Sequence, residues 1–162
     1  MHSLFSVLNS TSLESCALLS QIAGDDVIIA GGLAESIFCN QKVRLRGLSG
    51  IAFSGDLQAE LTIHKDRNNK TNMLSDLMKL KTSMQPNSKS VLFMFTCVAR
   101  GTALYLEKNV ETSLISEIFP RTPIVGMFAF GEIGYDPNNS ESRGKQDSAI
   151  HSYTTVLCLC KL

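Results

Sequence analysis

The sequence has no surplus of charge: 15 Lys and Arg stand against 15 Asp and Glu, a formal net charge of zero. Nucleic acids and anionic membranes are held by an excess of cations on one face, so neither is expected as a partner. It also lacks any apolar run near the roughly 18 to 20 residues that cross a bilayer. The opening Met1-His2-Ser3-Leu4-Phe5 has no basic stretch and no long apolar core, which argues against a secretion signal. The five cysteines are an odd number without the spacing of a disulfide framework, and Cys97, Cys158 and Cys160 sit in apolar runs. Thiols placed that way behave as small hydrophobes. A reducing compartment, cytosol or nucleus, is expected.

Signatures of bound cofactors are missing as well. Gly50 to Gly55 and Gly126 to Gly131 both have the glycine spacing of a phosphate loop, but Asp56 and Glu132 follow where Lys and Ser or Thr would be needed. Anionic side chains there repel phosphate. Cys158 and Cys160 fall on one face of a strand, yet no second pair completes a tetrahedral set, and there are only three histidines. The expectation is no metal and no cofactor.

What is present is an ordinary globular composition, 44% apolar and 19% charged over 162 residues. That suffices for one domain with its own core, or for part of a larger one. A chain with little colloidal repulsion also suits life in an assembly. Thr11 and Glu14 form a capping box ahead of a helix that runs toward Ile22. Residues 27–30 read as a buried strand ending at Gly31-Gly32. Residues 36–55 read as strand, turn and strand, followed by another strand over 57–63, with the last two strands paired antiparallel. Met73, Leu74, Leu77, Met78 and Leu80 fall on one helical face. Residues 91–98 are almost continuously apolar, the mark of a central strand covered on both sides. A second helix carries Val110, Leu114, Ile115, Ile118 and Phe119, with Asn109 as N-cap and Pro120 as terminator. Residues 124–133 read as one buried strand, 136–148 as a polar surface loop, and 151–162 as a closing strand. The fold class is α/β or α+β: a layered sandwich of mixed, largely antiparallel sheet covered by helices.

Cys97, His151 and Glu132 are the residue types of a nucleophile, a base and an orienting acid, and all lie near ends of predicted strands. No local signature marks Cys97 as a nucleophile, so the chain is read as non-catalytic. Arg100-Gly101 is the stronger ligand-binding candidate: a cation and a permissive backbone at the end of a buried strand, where ligands bind α/β sheets. Arg100 would also favour a Cys97 thiolate. The contact residues expected on these grounds are Cys97, Arg100, Gly101, Glu132, His151 and Tyr153.

Three strings, VLFMFTCVARG at 91–101, PIVGMFAFGEIG at 123–134 and HSYTTVL at 151–157, together resemble the C-terminal FIST domain. Upstream, IIAGGL at 28–33 and LSGIAFSGD at 48–56 are similar to the tail of an N-terminal FIST domain. The resemblance implies a division into residues 1–65 and 66–162, and a layered sandwich of sheets covered by helices. It further implies the substrate-recognition part of an F-box-type subunit of a cullin ubiquitin ligase, whose partner is the protein to be degraded. No stretch before Val27 has the F-box pattern, so the Skp adaptor and cullin are expected as partners only of a longer product that carries one. The region 135–150 is shorter than the family pattern. A small-molecule-binding sensory domain in signal transduction is the alternative the family allows.

Overall fold

A computed structural model describes residues 4–10, 27–39, 41–45, 48–66, 70–86, 89–138 and 149–161. The helix expected over 11–22 and most of the loop expected over 136–148 lie outside these residues. Two sheets stack face to face. The first has the order β10-β9-β2-β1-β5 and is built from β1 (Leu4–Ser10), β2 (Val27–Leu33), β5 (Leu48–Phe53), β9 (Glu132–Tyr135) and β10 (Ile150–His151). In the second, β6 (Gln58–His64), β11 (Thr155–Lys161), β7 (Ser90–Cys97) and β8 (Ile124–Ala129) lie in that order. A separate hairpin joins β3 (Ile37–Cys39) to β4 (Lys42–Arg44). Strands from both sides of residue 65 therefore share both sheets.

The second sheet is the middle layer, and the alternation of its side chains explains the architecture. On β7 and β11, Phe93, Phe95, Val156, Cys158 and Cys160 face Ile28 and Ala30 of the first sheet. Leu92, Met94, Leu157 and Leu159 point the other way, under α1 (Lys70–Met84) and α3 (Val110–Ile118). A strand buried on both faces needs a continuous apolar sequence, which is what residues 91–98 have. Leu92, Leu157 and Leu159 are fully buried, and truncating such a leucine to alanine costs about 2–5 kcal/mol.

Helix α1 presents Met73, Leu77, Leu80 and Met84 to the sheet, a spacing of four, three and four residues that keeps one face inward. Leu74 and Met78, expected on that face, lie at its margin and are exposed. At the start of α3, Asn109 occupies the N-cap in the left-handed region (φ 60°) and its side chain makes no capping bond. Its carbonyl instead accepts from the Ser113 N–H at 2.8 Å.

Three strand expectations are corrected. The strands over 48–53 and 58–64 do not pair with each other: β5 pairs with β1 in one sheet and β6 with β11 in the other. The short link through Gly55, at φ +126°, carries the chain between layers. Residues 124–133 are two strands in different sheets, broken at Phe130-Gly131, and β8 is an exposed edge strand where a buried one was expected. The closing segment is likewise interrupted at residues 152–154, where Tyr153 adopts φ 60°.

Candidate functional site

After Cys97 the chain enters a 3₁₀ turn (Val98–Arg100) that swings Arg100 back into the protein, where 1% of it remains exposed. A guanidinium can be buried only if its N–H groups and its charge find partners. Nε donates to Glu111 Oε1 at 2.7 Å, and Nη1 donates to the carbonyls of Asp66 and Tyr153, each at 3.0 Å. Nη2 donates to Tyr105 Oη at 2.9 Å. The Tyr105 hydroxyl, on α2 (Thr102–Tyr105), donates in turn to Glu111 Oε1 at 2.7 Å, and Thr155 Oγ1 donates to Glu111 Oε2 at 2.6 Å. One ion pair thus ties together the ends of β6, β7 and β11 and the start of α3.

The other candidates gather around the turn at 152–154. The Cys97 N–H bonds the Thr154 carbonyl at 3.0 Å. Glu132, fully buried, accepts from the Thr154 N–H at 3.0 Å and from its hydroxyl at 2.8 Å. His151 stands directly opposite Glu132 in the β9–β10 ladder, and its Nε2 lies 3.0 Å from the Gly134 carbonyl. Burial lowers the His151 pKa, with Lys65 adding to the effect, while the Gly134 carbonyl and Glu132 oppose it. A neutral imidazole donating Nε2–H to that carbonyl fits this balance.

The expected residues therefore gather at one end of the sandwich, with Gly101 following Arg100, and their bonds run chiefly to Glu111, Tyr105, Thr154 and backbone carbonyls. Arg100 is neither a solvated surface charge nor an open cation: four of its five N–H groups are engaged, and none of those bonds reaches the Cys97 sulfur. Glu132 Oε2 goes to Thr154 and His151 Nε2 to Gly134, while Glu132 Oε1 is buried with no partner among the described residues. That geometry does not assemble a nucleophile with a base.

Tyr105 and Glu111 were not legible as site residues, although Glu111 shares a helical face with Ile115 and Ile118, an unusual place for a carboxylate. The Tyr105 phenol is pushed up to about 12, first by burial, then by the hydrogen bond and charge of Glu111, against the opposing pull of Arg100. Because the folded value exceeds the ordinary 10.0, the neutral phenol's contribution is intact below pH 10 and is lost as pH rises through about 12. Urea unfolding across the alkaline range should show falling stability there, and Tyr105→Phe should remove that part of the slope. Tyrosinate absorbance should reveal a late-ionising phenol that Tyr105→Phe removes.

The thiols also lead to a prediction. Burial holds Cys158 well above its ordinary pKa, reinforced by Cys160, and pushes Cys160 up to about 11. Both are fully buried, so alkylation in native buffer should be about 100-fold or more slower than in urea, as read by mass spectrometry.

Beside the Arg100 network a cleft opens on the helix-covered face of β7 and β8. Its main part, about 310 Å³, is lined by Met94, Thr96, Ile124, Gly126, Met127 and Phe128, together with Thr112. A side chamber of about 80 Å³ continues from Met94, Thr96 and Phe128 toward Arg100, Tyr105 and Glu111. Thr96 lines both parts, and its Oγ1 is buried with no hydrogen-bond partner among the described residues. Among the described residues no strand pairs with the outer edge of β8, and Val125 and the cleft-lining Phe128 are more than half exposed. Among the described residues no cluster of His, Cys, Asp or Glu could hold a metal ion, and no helix is long and apolar enough to cross a membrane.

Comparison with known proteins adds a family. The family model for the FIST C domain matches residues 43–135. F-box only protein 22 of Homo sapiens is 30% identical over 161 residues, covering 90% of this chain and 40% of the relative. Its counterpart in Pongo abelii gives the same figures. The chain thus spans about 40% of the length of these curated relatives.

Proposed function

The chain belongs to the FIST C domain family, and from that premise we propose that it is the substrate-recognition part of an F-box-type subunit of a cullin ubiquitin ligase. The observation that carries this reading is the likeness to F-box only protein 22 along nine-tenths of the chain. In this role the domain holds a protein to be degraded and leaves ubiquitin transfer to other subunits, so it needs no catalytic centre of its own. The Skp adaptor and the cullin would be reached through an F-box on a longer product, in the cytosol or nucleus. Residues 1–65 would descend from an N-terminal FIST domain and 66–162 from the C-terminal one.

Edge strand β8 supplies a physical means of holding a protein. No strand pairs with its outer edge among the described residues, so a partner's strand can extend the sheet there, and Val125 and Phe128 add exposed apolar surface. It carries none of the charges or prolines by which edge strands are commonly protected. The test is to express the domain joined to an F-box and follow protein lifetimes in cells. Wild type should shorten the lifetime of at least one bound protein in a proteasome-dependent way, and Val125→Lys should restore it. If no protein's lifetime depends on the domain, the reading is wrong.

A further inference from the structure

We propose that the cleft between β7, β8 and α3 binds a small, uncharged, largely apolar molecule that carries one hydrogen-bonding group, received by Thr96. This goes beyond the ligase reading and does not depend on it. Thr96 is 3% exposed, and its Oγ1 has no partner among the described residues, although a buried hydroxyl normally finds one because leaving it unpaired costs stability. Thr96 lines both parts of the cleft, on the same face of β7 as Met94. The neighbouring Thr112 hydroxyl is already committed to the Asn109 carbonyl at 3.1 Å.

The surroundings set the ligand's character. Apart from Thr96 and Thr112, the main chamber is lined by Met94, Ile124, Met127 and Phe128 over a bare floor at Gly126. At the usual share of about 30 Å³ per water molecule, its volume of about 310 Å³ admits roughly ten non-hydrogen atoms. That is the lower end of the range for small-molecule pockets. The charges at the inner end are paired, Arg100 with Glu111 at 2.7 Å and Glu107 with Lys70 at 3.1 Å, and Arg100 has one N–H left to offer. An anion would meet no open cation, and a cation would displace Arg100 from Glu111. Either would leave water without compensation.

Methionine methyl NMR of the intact chain tests this, because Met94 and Met127 line the cleft whereas Met73 and Met78 do not. Benzyl alcohol, toluene, benzoate and benzylamine serve as probes of matched size. Benzyl alcohol should shift the Met94 and Met127 methyls saturably and leave Met73 and Met78 in place. Benzoate and benzylamine should bind at least about tenfold more weakly. In Thr96→Val, the ratio of benzyl alcohol to toluene affinity should fall about fivefold, the worth of one hydrogen bond. That variant loses an unpaired hydroxyl, so its thermal midpoint should equal or exceed that of wild type. The proposal is overturned if Met94 and Met127 do not respond, if a charged probe binds as well as the alcohol, or if Thr96→Val leaves the affinity ratio unchanged.

Discussion

Replacing Glu111 by alanine should destabilise the protein by about 3–5 kcal/mol, a large share of the 5–15 kcal/mol that a domain typically has. The loss is large because of what remains behind. Arg100, 1% exposed, would keep its charge with no counter-charge, and the hydroxyls of Tyr105 and Thr155 would lose their acceptor. Glu111→Gln keeps the shape and one acceptor oxygen, so it should cost less and give a folded protein even if the alanine variant does not fold. Replacing both partners, Arg100→Met with Glu111→Leu, should be milder than either charge deletion alone, because no orphaned ion is left. Urea unfolding of wild type, Arg100→Met, Glu111→Leu and the double variant closes the cycle. A cost below about 1 kcal/mol for Glu111→Ala would mean that the pair is solvated and does not anchor the turn at 152–154.

Gly126→Ala should be about as damaging, by about 3 kcal/mol or more, for a purely steric reason. A Cβ at this position would overlap the Met94 carbonyl oxygen and lie 2.7 Å from its carbon, in the backbone of the neighbouring strand. Backbone cannot turn aside as a side-chain tip can, so β8 must move off β7 and the pairing from Leu92↔Ile124 to Cys97↔Ala129 must open. Because β8 is the last strand of its sheet, the damage should stay local. Amide exchange should accelerate over residues 124–129 while β11, paired on both sides with β6 and β7, stays protected. Unchanged exchange in β8 would contradict the close approach. Since Gly126 floors the cleft, the same variant should also lose the response to benzyl alcohol.

How far the sequence reached can be judged strand by strand. The central strand was legible because burial on both faces leaves a continuous apolar run, and residues 91–98 contain one. Helix α1 was legible through Met73, Leu77 and Leu80, whereas Leu74 and Met78 were misplaced on the inward face and Met84 was not read there. The stretch 124–133 misled for the same reason that 91–98 succeeded: apolar continuity cannot distinguish one central strand from two strands joined by a corner. At Phe130-Gly131 the corner is a crossing between layers, with the Leu33 N–H bonded to the Gly131 carbonyl at 2.8 Å.

The site was legible in part. Arg100, Glu132, His151 and Cys97 were picked out by residue type at strand ends, and they do converge. Their roles could not be read, because the partners of Arg100 are scattered from Asp66 to Tyr153 and two of them are backbone carbonyls. No spacing rule connects such groups. Thr96 was hidden for a different reason. A threonine in a strand is ordinary, and only the packing reveals that its hydroxyl has nothing to bond.

The most direct test of the account is hydrogen exchange on this domain, free and bound to a protein whose lifetime it shortens. The account predicts that residues 124–129 slow by about tenfold or more in the complex, as expected of an edge strand that has gained a partner. Unchanged exchange at β8 with that protein still bound would contradict it.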